Sequence, residues 1–380
     1  MNLEQLFELM AEKKASDLLL SVASPVTIKI QGVYLAVNQS TTLTGEAIVR
    51  MLSEVLSEQQ LGKLLAENDL NIGIRRPGVG SFRLSAFRQK GEISAVFRYI
   101  PIDPASLEEL RIPPHIGGLI DEPRGLVLIC GATGSGKSST IAAMIEKRNR
   151  AKAGHILTFE DPIEFYFQSK KSLINQREVG MDAPNLEVAL KSALRQTPDV
   201  IFIGEIRDRH TMTAAITYAL SGHLVISTLH ANNSYHALSR IVSMYPAEAR
   251  ANLLSDLSAC IKSVITQRLI KAVQGGRIPA LEVMINTQLT ADLIEKDRLF
   301  ELKEAMNKSL AKGSQTFEQH LVSHVNAGLI SLEDAMIASD SPTNLMWLLN
   351  NQGKTKAEEV AAPIIDRSAS GAQYKEFNFG

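Results

Sequence analysis

Apolar positions along the chain follow two periods, and the period changes with the region. Leu3, Leu6, Phe7 and Met10 have helical spacing and predict a short opening helix. Residues 18–37 hold short strand-like runs, among them Val26–Ile30, and Gln31-Gly32 predicts a hairpin turn. Residues 44–66 read as helical, with Ile48, Met51, Leu52, Val55 and Leu56 on one face. Ser57 with Gln60 has the spacing of a capping box that starts a second helix. Asn71–Arg75, Ser81–Arg88 and Ile93–Tyr99 are strand candidates, broken by Gly78, Gly80 and Gly91. Prolines and glycines then crowd residues 101–118, which reads as an ordered connection with the domain boundary near residue 105.

Beyond residue 120 the pattern becomes strand, helix, strand, helix. Leu126–Cys130, Ile156–Phe159, Val200–Ile203 and Leu224–Ser227 are continuous apolar runs, as expected of parallel strands buried on both faces. After residue 300 the chain reads as helical, with capping-box candidates at Thr316/Gln319 and Ser331/Asp334. Residues 352–380, rich in Ala, Lys, Glu and Ser, read as a flexible tail.

Composition narrows the function classes. Forty Lys+Arg against forty-one Asp+Glu leave a formal charge of -1, which argues against a general nucleic-acid binder while permitting a local basic groove. Two cysteines, Cys130 and Cys260, support neither a disulfide framework nor a tetracysteine zinc site, and read as buried thiols of a reducing compartment. The opening residues lack the pattern of a signal peptide, and no apolar run is long enough to span a bilayer. The expectation is a cytoplasmic protein.

Four segments carry candidate chemistry. Gly131-Ala132-Thr133-Gly134-Ser135-Gly136-Lys137-Ser138 matches G-x-x-x-x-G-K-[ST], with Ser139 and a helical run following. Such a loop turns successive N–H groups toward phosphate oxygens; Lys137 would reach the β- and γ-phosphates and Ser138 would ligate Mg²⁺. Val200-Ile201-Phe202-Ile203-Gly204-Glu205 is an apolar strand ending in an acid, with Gly204 where an Asp is usual. Glu205 would serve metal, water or both; a solvated acid after a strand is the plainer alternative. Glu160-Asp161-Pro162-Ile163-Glu164 follows another strand, so Glu160 or Glu164 would hold Mg²⁺ through water or polarise a nucleophile, unless the turn is merely exposed. His223 and His230 flank a short apolar strand. Their odd separation points them to opposite faces, so a shared metal is not expected. They are structural, or they report the γ-phosphate to a neighbouring domain or subunit. Arg83, Arg88 and Arg98 on the early strands either keep those strands soluble or clamp nucleotide charge.

Taken in order, the phosphate loop, Thr158–Glu164, Gly204–Asp208 and Gly222–His230 resemble the secretion and pilus motor ATPases of the bacterial type II/type IV family. There they are called Walker A, Asp box, atypical Walker B and His box. Ala15–Leu18, Ser81–Phe87 and Pro123–Leu126 resemble the retraction branch, the PilT/PilU family, over roughly residues 1–350. The resemblance implies an α/β chain: a PAS-like N-terminal domain (1–104), a linker (105–120), a RecA-like P-loop motor core (121–300), C-terminal helices (301–350) and a tail (351–380). It implies a homohexameric ATPase using ATP and Mg²⁺, peripheral at the inner face of the cytoplasmic membrane, whose partners are a PilT-type retraction ATPase and the inner-membrane platform protein of the pilus. It carries catalytic roles onto Glu205, Glu164, Glu160 and His230. Nucleotide contact falls to the loop residues Gly131, Thr133, Gly134, Ser135, Gly136, Lys137, Ser138 and Ser139, and to Arg83, Arg98 and His223; Arg88 departs from the pattern. Too few cysteines for the zinc module weigh against the assembly motors, while Leu302–Met306 with Gln315–His320 in place of an Ala-Ile-Arg-Glu-Gly motif, and the longer tail, look more like the PilU side of the branch.

Overall fold

The computed structural model describes residues 2–360 apart from Gln31 and Ile102, with side chains to residue 351. The N-terminal part runs α1 (Leu3–Lys13), β1 (Asp17–Leu20), β2 (Thr27–Ile30), β3 (Val33–Ala36), α2 (Gly45–Ser53), α3 (Glu58–Glu67), β4 (Asp69–Arg76), β5 (Gly80–Gln89) and β6 (Glu92–Ile100). Its six strands form an antiparallel sheet in the order β3-β2-β1-β6-β5-β4. Period-two alternation decides which face is covered. Leu70, Ile72, Ile74, Phe82, Leu84, Ala86, Ala95 and Phe97 point into one core with the apolar faces of the helices. Arg83, Ser85 and Arg98 therefore stand on the other face. The Ser57/Gln60 capping box forms as the spacing predicts.

The motor part runs α4 (Pro114–Gly118), β7 (Gly125–Cys130), α5 (Lys137–Ala151), β8 (Gly154–Glu160), β9 (Ser172–Glu178), α6 (Leu186–Lys191), β10 (Val200–Ile203), α7 (Arg209–Leu220), β11 (Leu224–Leu229), α8 (Ser234–Ser243), α9 (Arg250–Cys260), β12 (Ile261–Lys271) and β13 (Arg277–Ile285). The sheet order is β13-β12-β7-β11-β10-β8-β9, parallel throughout except for the β12–β13 hairpin. Alternate residues of each strand feed two cores. Leu128, Phe159, Ile203 and Val225 pack with α6–α9, while Val127, Ile129, Ile156 and Ile226 pack with α4 and α5. Burial on both faces explains the unbroken apolar runs. It also explains why β9 and β12 escape that reading: β9 is an edge strand with Leu173 exposed, and β12 carries Thr266, Gln267 and Arg268.

The connection before β7 is more than a linker. Ile112, Ile116, Leu119 and Ile120 are buried in the same core as β7 and α5, with Pro114 at the first position of α4, where a missing N–H costs nothing. The remaining helices are α10 (Gln288–Glu295), α11 (Leu302–Asn307), α12 (Phe317–Asn326), α13 (Leu332–Ala338) and α14 (Pro342–Val360). Phe317, Leu321, Ile330 and Leu345 pack on Ile270, Ile278 and Ala280 of the hairpin. Thr316 and Gln319 form their capping box, whereas Ser331 caps α13 without the reciprocal bond, because Asp334 accepts from the Ser331 hydroxyl. Helix α14 runs to Val360, nine residues into the segment 352–380 expected to be a flexible tail; its Lys, Ala and Glu are strong helix formers. Residues 361–380, the rest of that expected tail, lie outside the described residues.

Candidate active site

Parallel strands all end on the same side of the sheet, so the loops after β7, β8, β10 and β11 meet there. These are the four candidate segments. They border one cavity of about 470 Å³, lined by Thr133, Gly134, Lys137, Ser138, Glu160, Glu164, Glu205, His230 and, from the N-terminal domain, Arg83. Gly131 starts the loop directly after β7. Ser135 is buried, and Gly136 and Ser139 are half-buried in the loop's backbone frame rather than in the cavity lining.

The loop is set up for anionic ligands. Gly136 has φ +88°, a left-handed conformation that favours glycine, and passes directly into α5. The N-terminal N–H groups of that helix lack intrahelical acceptors and, with the helix dipole, favour negative charge. Lys137 Nζ hydrogen-bonds the carbonyls of Gly131 (2.8 Å) and Ala132 (2.9 Å). Burial lowers its pKa, while nearby Glu205 and Glu164 pull the other way. The Ser135 hydroxyl is buried with no hydrogen-bond partner among the described residues.

Glu205 follows β10, with Oε2 2.7 Å from Arg207 Nε and Oε1 3.0 Å from His230 Nε2. Gly204 packs closely on β8: a Cβ there would stand 3.2 Å from the Phe159 carbonyl, tighter than usual, and 3.5 Å from Glu160 Cα, an ordinary contact. Thr228 Oγ1 donates to the Gly204 carbonyl at 2.6 Å and holds the turn to β11.

Glu160 is only 7% exposed. It accepts hydrogen bonds from Thr158 Oγ1 (2.8 Å) and Gln176 Nε2 (3.1 Å), yet burial still pushes its pKa up to about 7. The following turn contains the Asp161–Pro162 cis peptide and brings Glu164 Oε1 to 3.9 Å from Arg83 Nη1. That pair bridges the two domains at the cavity.

Two expected nucleotide contacts stand elsewhere. Arg98 pairs across strands with Arg83, but its Nε is held 3.1 Å from Asp17 Oδ1 and it does not line the cavity. The neighbouring strand β1 supplies that carboxylate in register, so the like charges are separated by an ion pair. His223 lies before β11 and His230 after it. Six extended residues put about 20 Å between them, so the histidines are separated by strand ends as well as by faces. The carbonyl of His223 accepts from Gly125 N at the start of β7, and its ring lies near Ser221 and the Tyr218 carbonyl. Arg88 is tied to Asn68 and to the Gly91 carbonyl, a turn-bracing role.

Several supporting residues escape the sequence reading. Gln176 and Thr158 restrain Glu160, and Arg207 pairs with Glu205. Gln267 on β12 touches the phosphate loop. Thr158 and Arg207 belong to segments that sequence singled out; Gln176 and Gln267 do not.

A seven-stranded, mostly parallel sheet with helices on both faces, a phosphate loop after its first strand in chain order and an acid after a strand two places along the sheet define a RecA-like P-loop nucleotide-binding ATPase with an antiparallel, PAS-like N-terminal domain. The chain belongs to the Type II/IV secretion system protein family, whose profile matches residues 85–342. It is 40% identical to the type IV pilus ATPase PilU of Pseudomonas aeruginosa, over 99% of this chain and 100% of that one. It is also 40% identical to the type IV pilus retraction ATPase PilT of the same organism, over 90% of this chain and all of that one. A crystal structure of the pilus retraction motor PilT with bound ADP superposes with a TM-score of 0.85 at 36% identity, covering 91% of this chain and 99% of that chain.

Proposed function

We propose that the chain is an ATP-hydrolysing motor of type IV pilus retraction, PilU-like, working as a ring of six copies beside a PilT-type ATPase. The observation that carries this is the composite cavity, in which Arg83 of one domain faces Glu164, Lys137 and Glu205 of the other. The match to PilU along nearly the whole chain supports the pilus assignment.

In this reading Lys137 and the loop N–H groups hold the β- and γ-phosphates. Glu205, steadied by His230 and Arg207, orients the attacking water. Among the described residues no group of three or more His, Cys, Asp or Glu is placed to hold a metal. That suits Mg²⁺, which takes one or two protein oxygens and fills its shell with water and phosphate; Ser138 would hold it, with Glu160 acting through water. Bound there, Mg²⁺ would neutralise phosphate charge. Arg83 answers the same charge from the other domain, so nucleotide binding and release would bias domain closure and turn the ring. No described helix is long and apolar enough to cross a membrane. In this reading, contact with the inner-membrane platform protein would be peripheral, at the cytoplasmic face, as the likeness to pilus motor ATPases suggests.

Steady-state ATPase activity across a protein concentration series tests the proposal. Turnover per subunit should rise with assembly and vanish in Lys137→Ala and Glu205→Ala. Nucleotide binding without turnover at any concentration, even with a PilT-type partner added, would overturn the motor reading in favour of a regulatory subunit.

A further inference from the structure

Gln267 lies on β12, more than a hundred residues from the phosphate loop in sequence, and is 2% exposed. Its amide is used at both ends. Nε2 donates to the Ser135 carbonyl at 2.8 Å, and Oε1 accepts from Thr140 Oγ1 at 2.8 Å. The Ser135 carbonyl can only accept, so the amide orientation is decided by chemistry. The two anchor points bracket Lys137 and Ser138: one is the loop peptide before them, the other the first turn of α5 after them. Strand β12 also presses on the loop's glycines. A Cβ on Gly136 would stand 2.8 Å from Gln267 Nε2, and one on Gly131 would stand 2.5 Å from the Gln267 carbonyl.

The peptide plane gives this contact a consequence. The carbonyl of Ser135 and the N–H of Gly136 belong to one trans peptide and point to opposite sides. Holding the carbonyl down on Gln267 turns the Gly136 N–H away from β12. We infer that Gln267 is the positioning residue of the phosphate loop, aiming the Gly136 N–H at a nucleotide phosphate and fixing Lys137 and Ser138 between two anchored points. The inference rests on the nucleotide-site reading above and adds to it a residue that touches no substrate.

The test compares wild type, Gln267→Met, Gln267→Glu and Thr140→Val as full-length proteins. The readouts are ADP dissociation constant, steady-state ATPase and nucleotide-free unfolding midpoint. Methionine keeps the length and removes both bonds. Ionised glutamate keeps the acceptor for Thr140 but cannot donate to Ser135; protonated, it can donate again. The ADP dissociation constant should rise about tenfold in both Gln267 variants and about two- to threefold in Thr140→Val. KM for ATP should rise more than kcat falls. Relative to wild type at each pH, Gln267→Glu should regain affinity as the pH is lowered. Gln267→Glu binding ADP like wild type at all pH values would overturn the inference. So would a Gln267→Met protein with a lowered unfolding midpoint and unchanged affinity. If Gln267→Met does not fold, the other two variants decide. Wild type that binds ADP but turns over no ATP refutes the hydrolytic reading and leaves the affinity comparison intact.

Discussion

The two ends of the motor sheet carry similar side chains and put them to different use. At the end where the parallel strands begin, Asp199 Oδ2 accepts the His155 N–H at 2.7 Å, and the His155 ring bridges the Gln196 carbonyl and Asn175. His223 sits in the same layer against Tyr218 and Ser221. Each polar group there is spent on a neighbour within the protein. At the other end, Lys137 reaches only the carbonyls of its own loop, Glu160 is buried against its preference, and Glu205 shares its charge with an arginine and a histidine. The difference teaches that residue type alone does not mark a site in this fold. What marks it is position at the strand ends, where helix N-termini converge and charge is left available for a ligand.

The sharpest way to break this contrast is at the carboxyl end itself. Lys137→Ala and Glu205→Ala should each lower ATP turnover by about 10²–10³-fold or more, read by phosphate release. Activity surviving in either would mean the chemistry lies elsewhere.

Glu160→Gln probes the cost of placing an acid there. Burial raises the Glu160 pKa from its ordinary value to about 7, so the fold favours the neutral form. Its contribution to stability is fully present below the unfolded-state value near pH 4.5 and is lost as pH rises to about 7. That loss is on the order of 3 kcal/mol. Denaturant unfolding of wild type at pH 5 and pH 8 should show it, and Glu160→Gln should flatten the difference. An unchanged pH profile in the variant would show that Glu160 is already balanced in the fold.

The histidines test the two ends directly. His230→Ala should lower kcat by roughly tenfold, through loss of the Glu205 contact. His223→Ala should leave nucleotide affinity of the subunit unchanged. Turnover lost by His223→Ala only in the assembled ring would place its role across a subunit boundary.

The smallest expected contrast is between the two arginines. Arg83→Ala should lower kcat/KM about tenfold, through loss of the charge that the N-terminal domain presents to the cavity. Arg98→Ala should cost about 1 kcal/mol of stability, through loss of the pair between its exposed guanidinium and the buried Asp17, with kinetics unchanged. Equal kinetic losses in both would mean that the N-terminal domain approaches the phosphates with its whole strand face.

Much of this was legible along the chain because it rests on local rules. Helix α1, the Ser57 cap, the antiparallel strands and the apolar runs β7, β8, β10 and β11 follow from periodicity and capping chemistry. The loop from Gly131 to Ser138 follows from backbone demands that few residues meet. These are short-range constraints, and a linear sequence records them. The sequence also supplied the order of the four motifs, and with it the family.

Only the tertiary structure decided which members of each set are neighbours. Strand direction sent His230 to the phosphate loop and His223 about 20 Å away. Strand register gave Arg98 to Asp17 and left Arg83 for Glu164. Strand order brought Gly204 against the Phe159 carbonyl of β8 and set Glu205 beside His230. Gln267 became part of the phosphate loop because β12 pairs with β7 beside it. Each of these depends on contacts between segments far apart in sequence, set by the packing of the whole sheet, and no local pattern encodes them.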